Sequence, residues 1–271
     1  MGLVYLAAPS FSGWHSSSGN RIGSALDIEK LTPTYQNTKA ALLNGDICLH
    51  YQPIHCLRTG NLLGYEALAR WGKMPPLMIA EIVESHSLEL TWVRQQLADV
   101  DLILARTYPP IWISLNVNQR VLALEPLPFL LNTSPHQLGI HVELLESVQL
   151  TPSAIAAIEK IQHRHIVKAD DIGSLDYAWF NRLVGKYAPY FHGIKLCQAL
   201  IQDITTDLRT AAACKLFIGF AKSQGLEITC EWVETVEQRD LLIEWGADNG
   251  QGALYGLAMP WEFWQQKHPQ P

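Results

Sequence analysis

ICLHYQPIHCLRTGNLLGYEALARW, residues 47–71, places two apolar, β-branched and aromatic runs (47–54 and 62–71) on either side of a short polar connection. Runs of this kind read as strands. The link HCLRTGNLLG is too short for a helical crossover, so the two strands pair antiparallel. In the middle of the second run stands Glu66. An ionised carboxylate is almost never buried alone, because desolvating it costs more than packing returns. Glu66 therefore faces solvent, is paired, or binds a metal.

Downstream the chain alternates. Further strand-like runs occupy 111–117, 138–144, 165–171, 191–197, 226–232 and, weakly, 249–255. Helix-like segments lie at 77–106, 152–162, 177–187, 208–224 and 235–245. TPSA (151–154) reads as a helix start, with Thr151 as N-cap and Pro152 in the first turn. Eight strands alternating with helices predict a closed α/β barrel of the (β/α)8 TIM type, with an open doubly wound sheet as the alternative. No GxGxxG or GxxxxGK follows a strand, which speaks against a nucleotide-binding open sheet. Residues 1–30, rich in Ser and Gly, read as a loosely ordered leader. Residues 31–271 form the barrel domain on this reading.

The composition, 48% apolar and 17% charged, is that of a globular chain, and the net charge of −6 is mild and dispersed. No Lys/Arg block marks a partner for polymeric nucleic acid. No run approaches the ~18 apolar residues of a membrane span. The five cysteines show no CxxC spacing and lie mostly in apolar runs, which fits buried reduced thiols and a cytoplasmic location.

A polar residue closes one run after another: Glu66, Asn116, Glu143, the pair Asp170–Asp171, Lys195, Glu231 and Gln251. Any one of these could be a strand-end residue capping the next helix. Seven successive strand ends behaving alike is better explained by a barrel, where the C-terminal ends of the strands meet at one mouth. Converging carboxylates repel one another, and a divalent cation resolves the conflict. Oxygen ligands without Cys or His at ligand spacing indicate Mg2+ or Mn2+ rather than Zn2+, and adjacent Asp170 and Asp171 can serve two ions. Metal ligation is then the best of the three readings of Glu66. A Schiff-base role for Lys195 needs a lowered pKa, whereas a ring of carboxylates raises it. The histidines of HRH (163–165) read as a solvated helix end.

YQPIHCLRTGNLLGYEALARW, with SLNVN, VELLE, ADDIG, IKL, EWVE and GQG in order, resembles the EAL-domain cyclic di-GMP phosphodiesterases across roughly residues 38–260. The resemblance implies a modified barrel with an antiparallel first strand and hydrolysis of cyclic di-GMP to linear pGpG. It implies that Glu66, Asn116, Glu143 and Asp170 hold one metal while Asp170 and Asp171 serve a second. Lys195 would orient the attacking water, and Glu231 would act beside the second ion or accept a proton. Gln251 would complete the polar shell. Gln52 and Arg70 would contact the dinucleotide, and Glu146 and Glu234 would support the loops. A homodimer is a further expectation.

The departures from the family pattern are specific. Ile172, Leu175 and Asp176 replace Phe, Gly and Tyr in the loop after the Asp pair, and Cys197 replaces a carboxylate. Trp232 stands where a glycine is expected, Leu90 replaces an Asp, and the tail reads GALYGLAMP. Two classes of function follow: an active phosphodiesterase, or a degenerate module that binds cyclic di-GMP or a protein without useful turnover. The intact ligand set favours the enzyme. An unrelated barrel enzyme ranks below both.

Overall fold

A computed structural model of the chain describes residues 33–173 and 185–267. The leader, Leu175, Asp176 and most of the helix expected at 177–187 lie outside the described residues. In order, the elements are α1 (Tyr35–Asn44), β1 (Cys48–Cys56), β2 (Leu62–Arg70), α2 (Pro76–Ser85), α3 (Glu89–Leu104), β3 (Trp112–Val117), α4 (Gln119–Leu122) and α5 (Leu127–Thr133). They continue with β4 (Ile140–Leu144), α6 (Pro152–Gln162), β5 (Val167–Ile172), β6 (Gly193–Leu196), α7 (Gln198–Ile201), α8 (Leu208–Ser223), β7 (Glu227–Cys230), α9 (Val236–Trp245), β8 (Asn249–Gly250) and α10 (Trp261–Gln265). No helix among the described residues is long and apolar enough to cross a membrane.

The described chain forms two compact units, one built from residues up to 48 with 69–88, the other from 49–68 with the residues from 89 onward. In the smaller unit, Thr34 caps α1 by accepting a hydrogen bond from the Asn37 amide at 3.3 Å, and Gly45, at φ 79°, ends it. His86 bonds the Pro33 carbonyl at 2.8 Å and packs edge-on against Tyr35. The single helical stretch expected at 77–106 is two helices, because the chain passes through a left-handed residue, Ser87 (φ 54°), between α2 and α3.

In the larger unit the strands close into a barrel in the order β1 to β8. Strands β2 to β8 run parallel, whereas β1 is antiparallel to β8 and, through the short connection after it, to β2. The Cys56 amide donates to the Asn61 carbonyl at 2.9 Å, closing that hairpin. The weak run at 249–255 shrinks to two strand residues, after which positive-φ glycines at 252 and 256 take the chain out of the sheet. Thr151 caps α6 as expected, accepting from the Ala154 amide at 3.2 Å. Thr235 and Gln238 form a reciprocal capping box at α9, satisfying two amides at the helix start.

Strand alternation separates two sets of side chains. Ile113, Leu115, Val142, Leu144, Val167, Ala169, Ile194, Leu196, Ile228 and Cys230 are buried and make up the apolar set. The opposite parity is polar and also buried: Glu66, Ser114, Glu143, Lys168, Asp170, Lys195, Thr229, Asn249 and Gln251. Barrel interiors are ordinarily filled by branched aliphatics, so this centre must satisfy its polar groups internally. Its lower layer does so. Lys168 bonds Glu227 and lies 4.8 Å from the Trp112 ring centroid, and Asn249 donates to Glu227 at 2.8 Å. Trp112 stacks on His141 at 4.4 Å. Gly64 is required beside this layer, since a Cβ there would stand 2.3 Å from the Trp112 carbonyl oxygen.

Candidate metal centre

Lys195 stands at the C-terminal mouth of the barrel, fully buried, with four carboxylates around one ammonium. Its Nζ lies 3.0 Å from Glu66, 3.1 Å from Glu143, 3.1 Å from Asp170 and 2.7 Å from Glu231. An ammonium carries three protons, so it cannot hydrogen-bond all four. Asp170 Oδ1 is indeed left without a hydrogen bond, although it is close to the nitrogen. Glu66 is further held by Asn116 Nδ2 at 2.7 Å and Gln251 Nε2 at 2.7 Å. Those two contacts fix both amide orientations and leave Asn116 Oδ1 and Gln251 Oε1 buried, with no donor among the described residues. Glu143 Oε1 is in the same condition.

Two neighbouring residues on a regular strand face opposite ways, yet both Asp170 and Asp171 reach this cluster. The backbone accounts for it. Between Ala169 and Ile172 the β5 register against β6 advances three residues against two, which is a bulge, and Asp171 sits at φ 55°. Aspartate tolerates that left-handed conformation better than most residues. Two oxygen groups result, Glu66–Glu143–Asp170 and Asp170–Asp171–Glu231, each with ligand atoms within 4.8 Å of one another.

The electrostatics follow from burial with too few counter-charges. Burial works to raise the Glu66 pKa, but Lys195 and the bonds from Asn116 and Gln251 outweigh it and hold that carboxyl below its usual value. Burial pushes Glu143 up to about 7 and Asp171 up to about 7, in the second case with the Asp170 charge adding to it. Glu231 is raised well above the carboxylate range, chiefly by burial. For Lys195, burial favours the neutral form, but Asp170, Glu143, Glu231 and Glu66 together raise its pKa well above the usual value. It therefore stays an ammonium, unsuited to Schiff-base chemistry.

Cation-free protein should accordingly lose stability as pH rises. The folded state keeps protons on Glu143 and Asp171 up to about 7, whereas the ordinary carboxyl values are 4.5 and 3.8. Between those limits the native state binds more protons, so stability is greatest near the lower values and falls on the way to 7. Melts in chelator at pH 5 and pH 8 should differ by about 5 kcal/mol in favour of pH 5, half from each of the two groups. Excess divalent cation at pH 8 should restore the loss. Stability that rises between pH 5 and 7 in chelator would count against this charge balance.

The donor set fits hard divalent cations. Oxygen acceptors without donors among the described residues, an excess of carboxylates over ammonium and the absence of sulfur or imidazole from either group all match oxygen-preferring divalent cations.

Gln52 has both ends engaged, its Nε2 with the Gly256 carbonyl at 3.2 Å and its Oε1 with Gln251 Nε2 at 3.1 Å. It thus braces Glu66 through Gln251. Arg70 ends β2 and bonds the Ala69 carbonyl at 2.8 Å. Glu146 is near enough to Asp171 to raise its pKa. Glu234 is exposed, and its backbone amide bonds Gln238 at 2.7 Å. The polar lower layer around Lys168 was not anticipated, although KADD carried its signal: a lysine two residues before an inward aspartate shares its face.

A family model described as "EAL domain" matches residues 36–258. The probable cyclic di-GMP phosphodiesterase PdeB of Escherichia coli is 27% identical over 261 residues, covering 89% of this chain and 49% of the relative. The cyclic di-GMP phosphodiesterase RocR of Pseudomonas aeruginosa is 29% identical over 259 residues, covering 84% and 61%. The chain thus spans about half to three-fifths of these relatives. The solved structure of the EAL enzyme Bd1971 in a cAMP-bound form superposes with a TM-score of 0.77 at 22% identity, covering 90% of this chain and 71% of that one, which shows a shared fold.

Proposed function

This chain belongs to the EAL-domain family, and on that premise we propose that it hydrolyses one phosphodiester of cyclic di-GMP to give linear pGpG. The observation that carries this reading is the ring of four carboxylates on one buried lysine, with acceptor oxygens that no donor among the described residues satisfies. Glu66, Asn116, Glu143 and Asp170 would hold one ion, and Asp170, Asp171 and Glu231 a second. Bound there, Mg2+ or Mn2+ would neutralise phosphate charge and make a water nucleophilic at neutral pH.

The chain's own groups do the remaining work. Lys195, fixed as an ammonium, would turn an N–H to a water once bound cations draw carboxylates away from it, and would offset negative charge developing on phosphate oxygens. Glu231, which burial alone keeps protonated, would be ionised beside a bound cation and could then accept the proton which that water releases. The chain Gly256–Gln52–Gln251 holds Glu66 in register, so that the cluster is organised before substrate arrives.

One observation favours a second reading, that of a cyclic di-GMP receptor. Cys197 begins α7 at the barrel mouth with no side-chain cap, and burial raises its thiol to about 11, so it stays protonated and contributes no charge. Cys197→Asp should both cap α7 and strengthen the second cation site. Activity at low Mg2+ should then rise about tenfold, with a smaller gain in Mn2+. No gain, together with equal rates in both metals for the natural chain, would count against a charge-poor second site.

The deciding experiment uses calcium. Ca2+ fills oxygen sites with looser geometry than Mg2+, so it permits binding while misplacing the attacking water. Calorimetry should show cyclic di-GMP binding with Ca2+, and chromatography should show pGpG with Mg2+ or Mn2+. Binding in both conditions without cleavage would make this a receptor. No binding in either would overturn both readings.

A further inference from the structure

Among the described residues, three that are not glycine have positive φ, and two of them adjoin the carboxylate cluster: Asp171 and Trp232, each at 55°. Aspartate accommodates this conformation, whereas for a bulky residue it is a steric outlier. The backbone around Trp232 cannot relax. The Glu231 amide donates to the Leu196 carbonyl at 3.1 Å, and the Val233 amide to the Gln251 carbonyl at 3.0 Å. Gly252 presses on the same turn, since a Cβ there would lie 2.4 Å from Val233 N and O. Residue 232 is therefore clamped in a conformation that glycine would adopt without cost.

A strained residue held at a functional site invites the question of what its side chain does. Trp232 is half-buried at the exit of β7, directly after Glu231, whose carboxylate lies 2.7 Å from Lys195. Among the described residues its indole N–H has no hydrogen-bond acceptor and its ring no aromatic partner. The residue that follows Glu231 thus carries a flat π surface and an unused donor. We propose that Trp232 is a base-stacking residue that holds one purine of the cyclic dinucleotide against this mouth. The inference rests on the functional reading above. Stacking of a base on an aromatic ring accounts for a tenfold or larger change in affinity when the ring is removed.

Three variants test it: Trp232→Gly, Trp232→Leu and Trp232→Phe. Removing strain and indole together, Trp232→Gly should leave Tm unchanged or higher. It should raise both KM and the Ca2+-supported Kd for cyclic di-GMP about tenfold, with kcat within about twofold. Trp232→Leu keeps bulk without a π face and should lose affinity to a similar degree. Trp232→Phe keeps an aromatic face and should stay within about threefold of the natural chain. The indole fluorescence of the natural chain should change on ligand binding, and that change should be smaller in Trp232→Phe. Unaltered Kd and KM in Trp232→Gly and Trp232→Leu would overturn the inference while leaving the phosphodiesterase reading in place. A large loss of Tm in Trp232→Gly with full affinity in Trp232→Leu would show packing instead, and would equally overturn it. A natural chain that binds no cyclic di-GMP with any cation would overturn the functional reading and this one with it.

Discussion

Glu66→Ala is expected to abolish cyclic di-GMP hydrolysis while the barrel still folds. Glu66 belongs to the first oxygen group and accepts hydrogen bonds from Asn116, Gln251 and Lys195. Losing a ligand removes several kcal/mol of transition-state stabilisation, so kcat/KM should fall at least about a hundredfold. The effect on stability depends on which of two opposed terms is larger. Removing a charge relieves repulsion from Glu143 and Asp170, but it also strips the Asn116 amide of its acceptor and leaves the Gln251 amide with Gln52 alone. The lowered pKa of Glu66 shows that its surroundings favour the ionised form on balance. Cation-free Glu66→Ala should therefore be less stable than the natural chain by about 2 kcal/mol. Retained activity would remove the basis for the metal centre, and a more stable variant would mean that repulsion dominates at this position.

Lys195→Met should have the largest effect on stability of any single change. The side chain is nearly isosteric, so the cavity term is small. What is lost is the ammonium that, alone among the described residues, lies between Glu66, Glu143, Asp170 and Glu231. Removing one partner of a buried ionic cluster typically costs about 3–5 kcal/mol, because the remaining charges have no compensation. In chelator the variant should melt well below the natural chain. Lowering the pH should recover part of the loss, since the bereft carboxylates can then take up protons. Excess Mg2+ should also restore stability, and by more than in the natural chain, while hydrolysis stays depressed by about a hundredfold or more. Natural stability in chelator would show that Lys195 is not the electrostatic keystone the geometry makes it.

The place of these residues could be read before any coordinates, because strand alternation and barrel closure are local rules with a global consequence. A polar residue at the end of each apolar run must point inward if its neighbours point outward, and in a closed barrel inward side chains at the strand ends meet. The antiparallel first hairpin was equally legible, since five residues between Cys56 and Leu62 leave no room for a crossover. Tertiary structure decided what alternation does not encode. Asp170 and Asp171 share the cluster only through a bulge and a left-handed backbone, and dihedral angles of this kind depend on what the neighbouring strand imposes. Gln52 is also tied to Gln251, 199 residues away, by a contact that no window of sequence contains. Most of all, the balance of four carboxylates to one ammonium exists only once five strand ends have converged. Charges separated along the chain acquire shifted pKa values when folding brings them together and removes the water between them.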